Sequence, residues 1–230
     1  MGARFHNGRE YRSGNKVLDA ACGTGIVAVD LNEWMLRVGR HCTAREGTTT
    51  IEWYQSDITR MPVSDGEFDM VLCQQGLRFF PDKAAALQEM ARVLAPGGRL
   101  ALSVWGRAEK SPHVGIICDV FRDYFGEDST TIFKVACSLS DPAVLRNLAG
   151  DAGFTGISIR SGVKIARHPS PAELLPAYFS AFPVAAQISA LPEEERDGMF
   201  RCMMTQLVPS TENNGLAVPT ENIPQTAEKE

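Results

Sequence analysis

At 230 residues, with 44% hydrophobic and 22% charged positions, the chain has the size and balance of one soluble α/β domain with room for an insertion. A net charge of −5 gives no reason to expect a polyanionic partner, so nucleic acid is disfavoured, and no stretch is apolar for long enough to span a bilayer. Cys22, Cys42, Cys73, Cys118, Cys137 and Cys202 are scattered, with no C-x-x-C pair and no histidine at ligand spacing. That pattern speaks against zinc and against a disulfide scaffold, and it suits a reducing cytoplasm.

Residues 1–15 read as a loosely ordered N-terminus; Met1 to Gly14 is polar, rich in Arg and Gly, and lacks the apolar core of a signal peptide. Lys16–Ala21 then reads as a short buried strand that breaks into the glycine loop Cys22-Gly23-Thr24-Gly25. Glycine lets backbone amides come close to a ligand, and the carboxyl end of a parallel strand is where an open α/β sheet binds one. Two ligands compete for the loop. Gly23, Gly25 and Ala28 satisfy the dinucleotide pattern G-x-G-x-x-G/A, a weak signal alone. Asp19 argues the other way, since a carboxylate there repels a pyrophosphate but holds an ammonium group or, through water, the region near a sulfonium.

The segment Ile26–Leu36 admits two readings. Asp30 lies only five positions beyond Gly25, whereas a parallel crossover takes about a dozen residues or more. In one reading Ala28–Leu31 is a short second strand and the first crossover helix is missing, which leaves one sheet face bare. In the other, residues 26–41 form the first helix, with Leu31, Trp34, Met35 and Val38 as its apolar stripe, and strand Ile51–Gln55 sits beside the first strand. A helix beginning near Asn32, with that residue as N-cap, is the favoured outcome.

Further on, Ile51–Gln55 alternates as a strand, and Asp57 follows it as a turn cap or a ligand contact. Phe68–Cys73 is a nearly continuous apolar strand, as in a sheet covered on both faces. Gln74 to Phe80 therefore sits on the same rim as the glycine loop. Asp82 caps helix 83–94, whose stripe is Leu87, Met90, Ala91 and Leu94, and Pro96-Gly97-Gly98 turns the chain into strand Arg99–Val104. Val114, Ile117, Cys118, Phe121 and Phe125 mark an amphipathic helix; another follows at Pro142–Ala149, then strands Ile157–Arg160 and Val163–Arg167. Residues 171–208 read as two or three short helices, with stripes Leu175, Tyr178, Phe179, Phe182 and Met199, Phe200, Met203, Met204, Leu207. They form either a lid over the site or plain packing on the sheet. Beyond Pro209, Pro224 removes a backbone donor and points to an edge or frayed strand.

Four markers in order, Asp19–Gly25, Val29–Leu36, Gln55–Pro62 with Phe68–Leu77, and Glu89–Leu100, resemble the class I S-adenosylmethionine (SAM) methyltransferases of the ubiquinone/menaquinone-biosynthesis type. The resemblance implies a Rossmann-like, mainly parallel sheet with flanking helices and SAM as cofactor. By position it assigns the cofactor to Asp19, Ala21, Gly23, Thr24, Gly25, Asp30, Leu31, Asp57, Ile58 and Gln74, with Asp30 on the ribose and Asp57 near the adenine amino group. The implied organisation is a SAM-binding α/β domain over 16–170, a helical insertion or lid over 171–208, and a C-terminal edge strand with a polar tail over 209–230. The departures are a segment between the first two markers that is short by about a helix, and few residues ahead of the first strand.

The implied reaction is in-line methyl transfer to carbon or oxygen of a small apolar or aromatic metabolite, in the cytoplasm, with no metal. His113 is the histidine nearest the expected rim, but a lone loop histidine is more often solvated, so no catalytic residue is named. The competing readings are a degenerate methyltransferase-fold binding module and a nicotinamide-dependent enzyme; the latter needs an acid after a full second strand, which the sequence lacks.

Overall fold

A computed structural model of the chain describes residues 15–22, 28–45, 51–168, 170, 172–173, 175, 179, 184–208, 211–212 and 215–230. The expectations for Met1–Gly14, Gly23–Gly25, Tyr178 and Phe182 lie outside them. Strand β1 (Val17–Asp19) pairs in parallel with β4 (Phe68–Gln74), and β4 pairs in parallel with β5 (Leu94–Trp105). On the far side of β1, β2 (Ala28–Asp30) pairs in parallel with β3 (Trp53–Gln55), and a parallel bridge from Ala20 to Val29 joins the two groups.

Of the two readings of residues 26–41, the structure takes the first: a second strand at Ala28–Asp30, with no helix ahead of it among the described residues. The crossover rule does not forbid this because β2 is so short. The chain need only travel back about 10 Å to run alongside β1, and the steps from Cys22 to Ala28 reach about 20 Å when extended. Helix α1 (Glu33–Arg45) then starts where the cap signal placed it, with Asn32 Oδ1 accepting the Trp34 N–H at 2.9 Å. On the sheet face carrying Leu18, Val71 and Cys73, all three side chains are buried; on the opposite face, where the missing helix would lie, Val17, Met70 and Leu72 are only half-buried.

The Glu89-x-x-Arg92 pair in α2 (Lys83–Val93) is the structural content of the fourth marker. Arg92 donates to Glu89 (2.7 and 2.8 Å), to Asp65 (2.5 Å), and to the carbonyls of Met61 (3.1 Å) and Val63 (3.0 Å), while Glu89 also accepts the Met61 N–H at 2.7 Å. This clamp fixes the connection from β3 to β4 and walls a cavity of about 460 Å³ lined by Tyr54, Arg60 and Pro62 among others. Asp82 caps α2 as expected, accepting the Ala85 N–H at 2.8 Å.

After β5 come α3 (Pro112–Phe125), α4 (Thr131–Ala136), α5 (Pro142–Asp151) and the strands β6 (Phe154–Ile159) and β7 (Gly162–His168). Helices α6 (Ala185–Ala190) and α7 (Glu193–Leu207), the two-residue β8 (Thr211–Glu212) and the long β9 (Gly215–Lys229) complete the described chain. The expectation of a C-terminal edge strand is overturned. β9 runs antiparallel inside the sheet, with β5 on one flank and β6, β7 and β8 on the other. Pro224 is tolerated there because its backbone faces the bend between β6 and β7. Its carbonyl accepts the Arg160 N–H at 3.1 Å, and the N–H it lacks would point at a turn rather than at a ladder.

Two cores result. The larger packs Leu18, Val71, Cys73, Leu87, Met90 and Leu102 between sheet and helices. The second gathers Phe121, Phe133, Phe179, Met199, Met203 and Leu207 with Leu216 and Val218 of β9. Phe121 is its hub, with the rings of Phe125, Phe133 and Phe179 at 5.1–5.2 Å. The described residues of the expected late apolar stripes pack with α3 and with the half of β9 that pairs with β7. No helix among the described residues is long and apolar enough to cross a membrane.

Replacing Arg92 by alanine removes its bonds to Glu89, Asp65 and the Met61 and Val63 carbonyls, and is expected to lower unfolding stability by about 1–3 kcal/mol, read as a lower urea midpoint at unchanged slope.

Candidate active site

Asp19 is the last residue of β1, and its position at the strand end gives the site its charge. Its Oδ1 is buried with no hydrogen-bond partner among the described residues. Burial, and then the nearby Asp30 carboxylate, push its pKa up to about 7. Asp30 closes β2 on the neighbouring strand end: its Oδ1 accepts the Asn32 N–H at 2.8 Å and its carbonyl accepts the Ser56 N–H at 3.1 Å. Two carboxylates on adjacent strand ends, one of them buried, form a site that favours a cation.

Ala21 follows the Ala20 bridge with φ of +62°, a left-handed conformation uncommon for a residue with a Cβ. Its N–H and that of Cys22 both point back to the Val29 carbonyl, at 2.9 and 3.1 Å, so the turn is tied to β2 as it leaves β1. The loop after β4 presses on it from the other side. A Cβ on Gly76 would stand 2.7 Å from the Ala21 Cβ, so only glycine allows the two loops this approach. Gln75, beside Gly76, also has φ of +62°. Non-glycine residues in this region persist where the surroundings hold them, often at functional sites.

The structure therefore brings together Asp19, Ala21 and Asp30, with Gln74 exposed at the end of β4. Leu31 is 71% exposed beside Asp30, next to Trp34 at 61%, giving an open apolar surface at the edge of the charged pair. Asp57 lies past the end of β3, fully exposed; its Oδ1 accepts both the N–H and the hydroxyl of Thr59 at 2.8 Å, which holds its pKa below the usual range. The turn-cap role weighed for it is thus realised, and its other oxygen makes no hydrogen bond among the described residues. Ile58 sends its side chain into the main core at 8% exposure, leaving its backbone for any ligand. Gly23, Thr24 and Gly25 fall outside the described residues.

His113 does not join this group. Its Nδ1 is buried and unpartnered among the described residues; burial, then His168 of β7, lowers its pKa to about 4, with the Pro219 backbone acting in the other direction. It is a neutral packing residue of the second core's margin.

Two groups escaped the sequence reading. Glu221, only 2% exposed, accepts from the Arg107 N–H (2.8 Å), Lys110 Nζ (2.7 Å) and the Ser161 hydroxyl (3.2 Å), which outweigh its burial and keep its pKa low. It anchors the loop after β5, and a Cβ on Gly106 would fall 2.2 Å from its carboxylate. Arg78, 4% exposed, lies between the rings of Trp105 and Phe79 at 4.4 and 4.6 Å. A cleft of about 540 Å³ opens past the end of β5, lined by Arg107, Ala108, Glu109, Lys110, Cys137 and Ser140.

Comparison with known proteins agrees with this geometry. Residues 13–102 match the family described as "Methyltransferase domain". The ubiquinone/menaquinone biosynthesis C-methyltransferase UbiE of Francisella philomiragia is 31% identical over 180 residues, covering 65% of this chain and 70% of that protein. UbiE of Pseudomonas putida is 41% identical over 107 residues, but the match spans only 42% of its length and 40% of this chain. Among solved structures, the YcgJ protein of Bacillus subtilis superposes with a TM-score of 0.61 at 16% identity, covering 96% of this chain and 94% of that one. Phosphoethanolamine N-methyltransferase 2 of Haemonchus contortus, solved with S-adenosylhomocysteine, gives 0.59 at 15% identity, covering 96% of this chain and 50% of that one. At such identities the structures speak for the fold, and the Francisella relative for the family: the chain belongs to the UbiE-type family of class I SAM-dependent methyltransferases.

Proposed function

We propose that the chain transfers a methyl group from SAM to a small apolar or aromatic metabolite in the cytoplasm, at carbon or oxygen, with carbon favoured by the name its UbiE relatives carry. The observation that carries this reading is the buried Oδ1 of Asp19, without a hydrogen-bond partner among the described residues, beside Asp30 on the rim of the parallel strands. That pair fits a ligand with a positive charge at one end and ribose hydroxyls at the other, and it disfavours a pyrophosphate. The cofactor supplies an electrophilic methyl group on a sulfonium. The protein's part is positioning and exclusion of water.

In this reading Asp19 faces the amino-acid end of the cofactor, Asp30 the ribose, Leu31 one face of the adenine, and Asp57 with the Ile58 backbone its edge. Gly23, Thr24, Gly25, Ala21 and Gln74 lend backbone and side-chain contacts along the rim. The acceptor enters from the cleft past β5, whose lining includes Arg107, Lys110 and Cys137. No residue is assigned as a base, since carbon or oxygen acceptors of suitable acidity need none.

Asp19 makes the reading testable by pH. A cation at this site favours the ionised carboxylate, so SAM affinity by calorimetry should rise between pH 6 and 8, approaching tenfold per unit below pH 7 and levelling above it. Asp19→Asn should flatten that profile; equal SAM affinity at pH 6 and 8 in the unaltered chain would count against the assignment.

The ligand-free chain has its own signature. A carboxyl whose folded pKa is raised to about 7 adds stability that is full below about pH 4 and lost as pH rises through 7. His113, lowered to about 4, acts in the opposite sense below about pH 6.5, so variants must be compared at each pH. The gain in melting temperature of Asp19→Asn over the unaltered chain should therefore grow from pH 5 to pH 8.

A further inference from the structure

We propose that Arg78 is a positioning residue for the cofactor rim: it holds the left-handed turn at Gln75, and through Gly76 that turn sets the loop leaving β1. This rests on the cofactor site described above. Gln75 bears a side chain at φ of +62°, where the backbone of such a residue does not stay unaided. Three contacts hold it. Its N–H donates to the Ser103 carbonyl at 2.8 Å, its Nε2 reaches the Ser103 hydroxyl at 3.4 Å, and its Oε1 accepts from Arg78 Nη1.

Arg78 is itself fixed for this task. The guanidinium is almost wholly buried, stacked 4.4 Å from the Trp105 ring at the end of β5 and 4.6 Å from Phe79. A planar cation that keeps its charge on burial can stack on two rings while its edge donates to an amide; lysine cannot do both. The next residue, Gly76, is the one whose added Cβ would meet Ala21 at 2.7 Å and Cys73 Sγ at 3.1 Å. Any relaxation of Gln75 from its turn moves Gly76 against Ala21, itself left-handed and two residues past Asp19. The chain of contact thus runs from Trp105, on the acceptor side, through Arg78 and Gln75 to the loop at the cofactor.

If Arg78 acts by holding that turn, glycine at position 75 makes it dispensable, because glycine takes a positive φ without a side-chain clasp. The test uses the full chain with S-adenosylhomocysteine as probe, measured by calorimetry, together with amide exchange of the Gln74–Phe80 segment in the ligand-free state. Arg78→Met should weaken binding about tenfold and speed exchange at the Gln75 amide; Arg78→Lys should behave alike. Arg78→Met with Gln75→Gly should return affinity to within about threefold of the unaltered chain, and Gln75→Gly alone should bind normally. Unchanged affinity and exchange in Arg78→Met overturns the proposal, as does a loss that Gln75→Gly fails to restore, which would mark Arg78 as a packing residue. If the unaltered chain binds no probe, the methyltransferase reading falls, and the amide exchange of Arg78→Met with and without Gln75→Gly still decides the role of Arg78.

Discussion

The return of the chain from β1 to β2 without a helix is the constraint on which the site depends. A full crossover would pair the same two strands in parallel and add a helix over one sheet face. Here the Ala20–Val29 bridge places β2 directly against β1, and the turn at Ala21 is tied to the Val29 carbonyl. Asp19 and Asp30 then share one rim, close enough for the Asp30 carboxylate to add to the burial that raises the Asp19 pKa. The same shortening leaves Val17, Met70 and Leu72 half-buried, so the sheet gives up apolar burial on that face.

Much of this was legible in the sequence where local rules suffice. Strand β4, the capped helix α2 and the Asn32 start of α1 follow from apolar runs and single capping side chains, which depend on few neighbours. The placement of β9 was not legible, because Pro224 is harmful only if its nitrogen faces a ladder, and that depends on where β6 bends, about sixty residues earlier. Glu221 and Arg78 were hidden for a related reason. A buried charge is acceptable only when several distant groups converge on it, and the partners Arg107, Lys110 and Ser161, or Trp105 and Gln75, cannot be paired from spacing.

Of the residues assigned to the cofactor by resemblance, Asp19, Ala21 and Asp30 share one place, while Asp57 and Ile58 are partly committed to the fold, one closing a turn and the other filling the core. A residue can serve both, since Asp57 has a second oxygen and Ile58 a backbone. The two hydrophobic cores divide the labour similarly: the sheet core holds the strand ends in register, and the aromatic core around Phe121 supports the wall of the cleft past β5.

β9 fills the gap between β5 and β6, yet it is made more than a hundred residues after β5, with Arg99 meeting Glu228 and Trp105 meeting Asn222. Until residues 215–229 have emerged during synthesis, β5 and β7 each offer an unsatisfied row of backbone groups, and the aromatic cluster lacks Leu216 and Val218. Sheet closure is therefore a late, long-range event, slow by its loop-closure entropy. In that interval the nascent chain is at its most adhesive, and chaperones that shield strand edges have most to do.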